Sequence, residues 1–211
     1  MKTSKLFLTL LLGTFALTAL TSCLDDNDDG NTANIIDTDE QRAKVLSTIS
    51  GMYNGTLYYY DSSAANNTGS TALAWTVNSD GTLTANNFPM SIFAHYTNDV
   101  QEKNIIAAVG FQKITAKVMP YAAFSSYYQA SYEPASTSYE YKVKLNEEDE
   151  VEHTVAISFV YNLSTPEGTV YSSVVYETTN RVMTANVIVD KIVIDGKMHS
   201  IQNTIAFTGV R

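Results

Sequence analysis

The strongest constraint on the fold is a strict alternation of apolar and polar residues in the second half of the chain. Residues 139–145 carry Tyr, Tyr, Val and Leu at odd positions, with Glu and Lys between them. Apolar residues return at alternate positions in residues 155–161. A period of two is typical of β-strands that bury one face and expose the other to water. The alternation therefore predicts antiparallel strands with one buried face.

Turn motifs separate these strands from others along the chain. Residues 78–81 read Asn-Ser-Asp-Gly, residues 165–168 read Thr-Pro-Glu-Gly, and residues 195–196 read Asp-Gly. Asp-Gly between two apolar runs is a strong signal for a β-hairpin. Together, the alternation and the turns predict a mainly β fold, an antiparallel barrel or sandwich of about eight to ten strands.

Helical patterns interrupt the strands at two places. Residues 38–50 begin with Thr38, and Gln41 follows at the spacing of a capping box. We expect this N-terminal helix, which Gly51 ends, to pack as a lid or plug against the sheet. A second helix is predicted as an insertion near residues 98–110, with Asn98 as its cap and Gly110 at its end.

The segment at residues 120–138 matches neither pattern. Its aromatic residues follow helical spacing, but several serines and Pro134 weaken a helix. The sequence therefore predicts either a long loop or a bent strand here.

The first 22 residues predict a signal peptide that is removed. Two lysines precede an apolar run at residues 6–20, which is shorter than the roughly 20 residues of a membrane-spanning helix. The Leu-Thr-Ser-Cys motif at residues 20–23 resembles the lipobox of bacterial lipoproteins. The resemblance implies that the thiol of Cys23 is acylated and attaches the protein to a membrane. Cys23 is the only cysteine, so the chain has no internal disulfide.

An acidic segment follows this cysteine. Four aspartates lie within residues 24–31, a composition that does not pack into a core. Acidic residues directly after the lipidated cysteine resemble the surface-export signals of Bacteroidetes-type lipoproteins. The resemblance implies the outer face of the outer membrane, with the periplasmic face as the alternative. We expect a signal peptide at 1–22, an acidic tether at 23–37 and a single β-rich domain at 38–211.

A second resemblance concerns the β-rich part. Residues 51–57 read as a first strand, an Asp-Gly hairpin follows, and Asn-Phe-Pro at residues 87–89 ends the next strand. These motifs resemble the calycin-like lipoprotein domains of Bacteroidetes and neighbouring uncharacterised lipoprotein families. The resemblance implies a β-barrel or sandwich without an assigned activity. The insertion at residues 90–135 departs from a simple eight-stranded pattern.

The chain lacks the sequence patterns of catalytic and metal sites. Nucleophilic catalysis needs a hydroxyl or thiol beside an oriented base, and the surroundings of His95, His153 and His199 do not have that pattern. The acidic cluster at residues 147–152 is interpreted as a solvated turn rather than a cation site. We expect no catalytic residue, metal or cofactor. A pair of carboxylates distant in the chain, as glycoside hydrolysis requires, stays open.

Charge also limits the classes of partner. The formal net charge is −9, and the sequence has no basic stripe. Nucleic-acid binding depends on such basic surfaces, so we expect no nucleic-acid partner.

Aromatic side chains give the remaining binding signal, because exposed rings offer apolar area with a polar tip. We expect a ligand groove over the open end of a barrel, and the alternative is that these rings fill the core. The candidate ligand-binding residues are Tyr121, Phe124, Tyr127, Tyr128 and Tyr132.

The sequence thus favours a lipid-anchored protein of the cell envelope that binds a small apolar molecule or a glycan without catalysis. The alternative is a structural or adhesion subunit of an outer-membrane or pilus assembly, with an envelope protein as its partner. A hydrolase would need a cleft with paired carboxylates or a base.

Overall fold

A computed structural model describes residues 33–148, 150–166 and 168–211 of the chain. The predicted signal peptide, Cys23 and most of the predicted acidic tether lie outside the described residues. Among the described residues, no helix is long and apolar enough to span a membrane.

The described residues are mainly β, as the alternation predicts. The helices are α1 (Asp39–Ile49), a 3-10 helix (Met90–Tyr96) and α2 (Val100–Ala108). The strands are β1 (Asn34–Ile35), β2 (Gly51–Tyr60), β3 (Thr68–Val77), β4 (Thr82–Pro89), β5 (Phe111–Ala123), β6 (Tyr127–Pro134), β7 (Ser138–Val143), β8 (His153–Val160), β9 (Asn162–Thr165), β10 (Gly168–Tyr171), β11 (Ser173–Glu177), β12 (Val182–Ile194) and β13 (Lys197–Val210).

Eight of these strands form a closed antiparallel barrel. Their order is β11-β6-β5-β4-β3-β2-β13-β12, and β12 pairs with β11 to complete the circle. The barrel alternative of the prediction is therefore confirmed. The insertion that contains the 3-10 helix and α2 connects β4 to β5 without preventing closure.

Strand β12 pairs with two different strands in succession along one of its edges. Its first residues pair with β11 in the barrel wall, and its second part, from Ile188 to Ile194, pairs with β8. A bulge between Val189 and Lys191 separates the two parts. A bulge bends its strand and increases the local twist. Strands β8 and β7 therefore extend the sheet away from the barrel, and β9 and β10 form a separate hairpin between the two branches.

Aromatic side chains fill the barrel interior. The rings of Tyr53 and Trp75 stack with centroids 5.5 Å apart, and Phe207 meets Trp75 edge-on at 4.8 Å. Gly209 on β13 pairs with Gly55 on β2. A Cβ atom on Gly209 would lie 2.6 Å from Cη2 of Trp75, so the absence of a side chain makes room for the indole. The other large side chains in this core include Leu57, Leu83, Tyr132 and Tyr176.

Both predicted helices are present. In α1, the amide of Gln41 donates to Oγ1 of Thr38 and the amide of Thr38 donates to Oε1 of Gln41, which confirms the capping box. Its buried side chains Val45 and Ile49 join the barrel core. In α2, however, the cap is Asp99 and not Asn98, because Oδ1 of Asp99 accepts from the amides of the second and third helical residues.

The 120–138 segment is largely β-structure. Strands β5 and β6 pair from Ala116 to Ala123, with a bulge between Pro120 and Ala122. The amide of Phe124 donates to the carbonyl of Tyr127 at 2.9 Å and closes the turn. The bent-strand alternative is therefore correct and the loop alternative is wrong. The backbone groups of this segment form cross-strand hydrogen bonds between β5 and β6. The helical spacing of the aromatic residues does not predict this pairing.

Replacing Gly209 with Ala tests the packing of Trp75 against Gly209. We expect a loss of about 1–3 kcal/mol in the free energy of unfolding, because the new methyl group overlaps the indole ring. The measurement is denaturant unfolding of Gly209→Ala, Trp75→Phe and the double variant. Trp75→Phe should cost less in the Gly209→Ala background than in the wild type, and simple additivity of the two costs would contradict the contact.

Candidate functional site

Each of the three histidines lies beside a carboxylate. Nδ1 of His95 is 2.9 Å from Asp61, Nδ1 of His153 is 2.7 Å from Asp195, and Nε2 of His199 is 3.2 Å from Glu102. In each pair the carboxylate is at least 34 positions away from the histidine in the sequence. Local sequence patterns therefore do not reveal these pairs.

The pair at Glu102 belongs to a larger network. Nζ of Lys197 donates to Oε1 of Glu102 at 2.6 Å, and the hydroxyl of Thr97 donates to Oε2. These hydrogen bonds, with Lys197 as the larger cause, hold the pKa of Glu102 below its ordinary value. A general acid needs a raised pKa, so this carboxylate is a poor proton donor near neutral pH. The network instead fastens α2 to the hairpin of β12 and β13.

The pair at His153 fastens β8 to the same hairpin. Asp195 and Gly196 have φ values of 48° and 82°, the conformation of the type I′ turn that the Asp-Gly motif predicts. Oδ1 of Asp195 accepts from the amide of Thr154 at 2.8 Å, and Oδ2 lies against the buried ring of His153. These contacts, the amide of Thr154 first, lower the pKa of Asp195. Both pairs therefore have a structural explanation.

Metal ligands do not converge in the part of the chain that the structure describes. No group of three or more His, Cys, Asp or Glu side chains there is arranged to hold an ion.

A cluster of tyrosines on the outer wall of the barrel forms the candidate ligand-binding site. We call it the tyrosine cleft and define it by Tyr121, Ser131, Tyr161 and Tyr171. These residues border a cavity of about 240 Å³ whose floor includes Ala130 and Ser172. The three tyrosines are 40%, 39% and 41% exposed, so each ring is half covered by protein and half open to solvent.

The strand pattern explains how the rings meet. Tyr121 lies on the outer face of β5 at its bulge. Tyr161 precedes β9 and Tyr171 ends β10, so the two lie at the base of one hairpin, where Tyr171 pairs with Asn162. Their ring centres are 5.4 Å apart with planes tilted by 57°. A tilted pair presents one ring face and one ring edge to a ligand.

Buried polar contacts fix the base of the cleft. The hydroxyl of Ser172 donates to the carbonyl of Val160 at 2.8 Å and accepts from the amide of Ile188 at 3.0 Å. The amide of Ser172 donates to the carbonyl of Tyr161 at 2.7 Å. Because Ser172 is fully buried, these hydrogen bonds hold the backbone beside both hairpin tyrosines.

The cleft also has a polar rim. The hydroxyl of Ser131 lies 3.3 Å from Oε1 of Glu133. Burial first, and then the charge of Glu133, raise the pKa of Tyr161 above its ordinary value, and burial does the same for Tyr121. Both phenols therefore stay protonated at neutral pH and act as hydrogen-bond donors or acceptors. The cleft combines apolar ring faces and hydroxyl groups, with the carboxylate of Glu133 at its rim.

The hairpin of β5 and β6 separates the five candidate aromatic residues of the sequence analysis. Tyr121 lines the tyrosine cleft, and Phe124 stacks on Tyr127 at the adjoining turn with ring centres 4.3 Å apart. Tyr128 stacks on Tyr176 of the core, and Tyr132 is buried against Phe207 inside the barrel. Alternation along β6 sends these last two rings inward, where they pack the core.

Sequence reasoning missed Tyr161 and Tyr171. Tyr161 continues the apolar alternation of residues 155–161, which predicts a strand and gives its ring no role, and Tyr171 belongs to no motif. The signal that was available is their near-symmetric position on either side of the Thr-Pro-Glu-Gly turn, which places them together at the base of the hairpin.

Comparison with known proteins gives a family match. A family model described as Domain of unknown function (DUF4840) matches residues 48–194, a range that includes the tyrosine cleft. Neither a curated protein nor a solved structure matches the chain.

Replacing Asp195 with Asn tests the structural explanation of the His153 pair. A carboxylate with a lowered pKa stabilises the fold above its ordinary pKa near 4, and this contribution disappears as the pH falls through the lowered value. Because Asp195 is partly exposed, we expect a loss of at most about 1 kcal/mol at pH 7. Urea unfolding at several pH values, with the exposed Glu140→Gln as control, should show the difference from wild type vanishing below about pH 3. A constant difference across this range would contradict the assignment.

Proposed function

Because the chain belongs to the DUF4840 family, whose description assigns no activity, its function must come from its own residues, and we propose that it is a non-catalytic glycan-binding protein of the cell envelope. The tyrosine cleft is the proposed binding site. The observation that carries the proposal is the convergence of Tyr121, Tyr161 and Tyr171 around one open cavity on the barrel wall.

The chemistry of the cleft suits a sugar. A pyranose ring has apolar C–H faces that stack on aromatic rings and hydroxyl groups that exchange hydrogen bonds. The phenols, the hydroxyl of Ser131 and the carboxylate of Glu133 supply donors and acceptors at the rim. At about 240 Å³ the cavity is smaller than the roughly 300–1,000 Å³ of pockets for drug-sized ligands, so it suits one sugar unit of a longer chain.

The filled barrel interior favours a glycan over a small apolar molecule. Ligand-binding barrels hold apolar molecules in their lumen. Here Tyr53, Trp75 and Phe207 occupy that space with contacting rings. The tyrosine cleft lies outside the barrel and is open to water, which suits a ligand that stays partly hydrated.

Binding without catalysis agrees with the composition of the cleft. Glycoside hydrolysis uses two carboxyl groups on either side of the scissile bond. Glu133 is at the rim, and the described residues that line the cavity contribute no carboxylate. We therefore propose recognition of the sugar and no cleavage.

The proposed lipid anchor gives the cleft a position near the membrane. Strand β1 pairs with β5 at Ala122 and Ala123, and the amide of Ile36 donates to the carbonyl of Tyr121 at 2.9 Å. The chain that leads to Cys23 thus enters beside the cleft. Fully extended, the residues between Cys23 and β1 reach about 40 Å. We propose that Cys23 carries the lipid and that the protein binds glycans close to the outer-membrane surface.

Truncation of the hairpin tyrosines tests the cleft. We expect Tyr161→Ala and Tyr171→Ala each to weaken binding to glycans identified on an array by at least about tenfold, which corresponds to about 1.4 kcal/mol. The measurement is isothermal titration with the purified glycan. Tyr58→Ala is the matched control, because Tyr58 is an exposed outer-wall tyrosine outside the cleft.

Two results would overturn this proposal. One is an array of envelope glycans to which the folded protein does not bind. The other is binding that Tyr58→Ala weakens as much as the two cleft variants do.

Mass spectrometry of the protein from membranes tests the anchor. We expect the mature chain to begin at Cys23 and to carry acyl chains, and we expect Cys23→Ser to leave the protein unprocessed and unacylated. Unmodified Cys23 with residues 1–22 still attached would contradict the proposed lipid anchor. It would not affect the proposal that the tyrosine cleft binds a glycan.

A further inference from the structure

The seam between β3 and β4 is the narrowest in the barrel wall. Only Thr76 and Val77 of β3 pair with β4, at Thr84 and Leu83. Along β2, by contrast, β3 is paired over its full length from Thr68 to Val77. A bulge at residues 86–87 interrupts the register of β4 with β5, and β4 does not pair with β3 beyond Thr84. In the described part of the chain, no strand pairs with the β4-facing side of β3 between residues 68 and 75.

The register shows which backbone groups this opening leaves unpaired. The amide of Asn78 donates to the carbonyl of Thr82 at 2.9 Å, so Asn78 and Thr82 form a hydrogen-bonded pair. Hydrogen-bonded pairs recur at every second residue of an antiparallel ladder. Ser70, Ala72 and Ala74 therefore direct their N–H and C=O groups toward the open side. Their side chains lie on the outer face, where all three are exposed.

A groove follows this edge of β3. It has a volume of about 360 Å³ and continues over the outer wall. Its rim has two exposed apolar side chains, Met52 at 64% and Phe111 at 69% exposure. All the described residues that line the groove are uncharged: Met52, Asn54, Gly55, Ala72, Leu73, Ala74, Trp75, Thr76, Thr84, Asn86, Asn87 and Phe111.

Another open edge of the sheet, at β7, is protected differently. Strand β7 pairs with β8 and carries Glu140 and Lys142 on its solvent face, with Lys144 just beyond its end. Charged side chains at an edge oppose the addition of another strand. The open side of β3 has serine and alanine at the corresponding positions. The fold thus protects the β7 edge with charge and leaves the open side of β3 uncharged.

We propose that the open side of β3, from Ser70 to Ala74, binds an extended peptide segment of another polypeptide by β-strand addition. The backbone of that segment pairs with the exposed N–H and C=O groups, which supply affinity. Its outward side chains lie between the alanines and Phe111, so the segment is uncharged with apolar residues at alternate positions. This interaction surface is separate from the tyrosine cleft, and it provides the contact that an assembly role would need.

The shape of the seam favours a single segment over a second copy of this chain. The open part of β3 faces the bulged end of β4, so a partner strand must fit between two elements of the wall. The β3 strand of another barrel is joined along its full length to β2 and cannot enter as a separate strand. A terminal or linker segment of another protein can.

Hydrogen–deuterium exchange with residue-level fragmentation tests the proposal on the full chain in detergent. In the free protein, we expect the amides of Ala72 and Ala74 to exchange at least tenfold faster than those of Leu73 and Trp75. The probes are nine-residue peptides that alternate Thr with Val, Leu or Phe, each with a matched peptide that has a central proline. At least one alternating peptide should slow the two alanine amides at least tenfold, and its proline counterpart should not.

Two lysine substitutions, one at the open side of β3 and one on a fully paired strand, test where the peptide binds. Ala74→Lys should weaken the binding of the best peptide at least tenfold. Val175→Lys should leave it unchanged, because Val175 faces outward from a strand that is paired on both sides. Slow exchange of Ala72 and Ala74 in the free protein, no protection by any peptide, or equal losses in both variants would each overturn the proposal. Slower exchange of these amides at higher protein concentration, without any peptide, would show that a second copy of this chain occupies the groove. That result would also overturn the proposal.

Discussion

The packing of aromatic rings inside a closed barrel is the interaction on which this structure depends. Trp75 stacks on Tyr53 and lies against Gly209, where a side chain would overlap the indole ring. Large rings bury much apolar area and leave little room between them. The barrel therefore has a filled core, and we propose that other molecules are recognised on its outer wall.

The branching of β12 produces the main feature of that outer wall. One half of this strand closes the barrel with β11 and the other half extends the sheet with β8, so the chain between β8 and β11 must leave the sheet and return. It does so as the hairpin of β9 and β10. Ser172 lies at the branch, where its hydroxyl joins Val160 to Ile188. The two tyrosines at the base of the hairpin are thereby held against Tyr121 of the barrel.

Much of the fold follows from local sequence signals. The capping box at Thr38 and Gln41, the Asp195-Gly196 turn and the alternating strands depend on contacts between residues close in sequence, and the structure confirms them. Barrel closure depends on the pairing of β11 with β12 and β6. That pairing joins distant segments, and alternation alone suits a sandwich equally well.

The candidate site was less accessible from sequence for the same reason. An aromatic residue in a strand points inward or outward according to register, and a shift of one residue exchanges the two faces. Tyr121 and Tyr132 were therefore equivalent as sequence candidates, although one lines the cleft and the other is buried in the core. Tyr161 and Tyr171 became partners only through the pairing of β9 with β10.

Energy transfer from Trp75 tests the filled interior most directly, because Trp75 is the only tryptophan in the chain and lies within the core. Titration with the apolar fluorophore N-phenyl-1-naphthylamine would report on any space near this ring. The account predicts no saturable energy transfer from Trp75 to the probe. Because Trp75 also borders the groove on β3, the titration is repeated with Ala74→Lys. Saturable transfer with one probe per protein that Ala74→Lys leaves unchanged would reveal a lumen that holds an apolar molecule, and it would contradict a filled barrel.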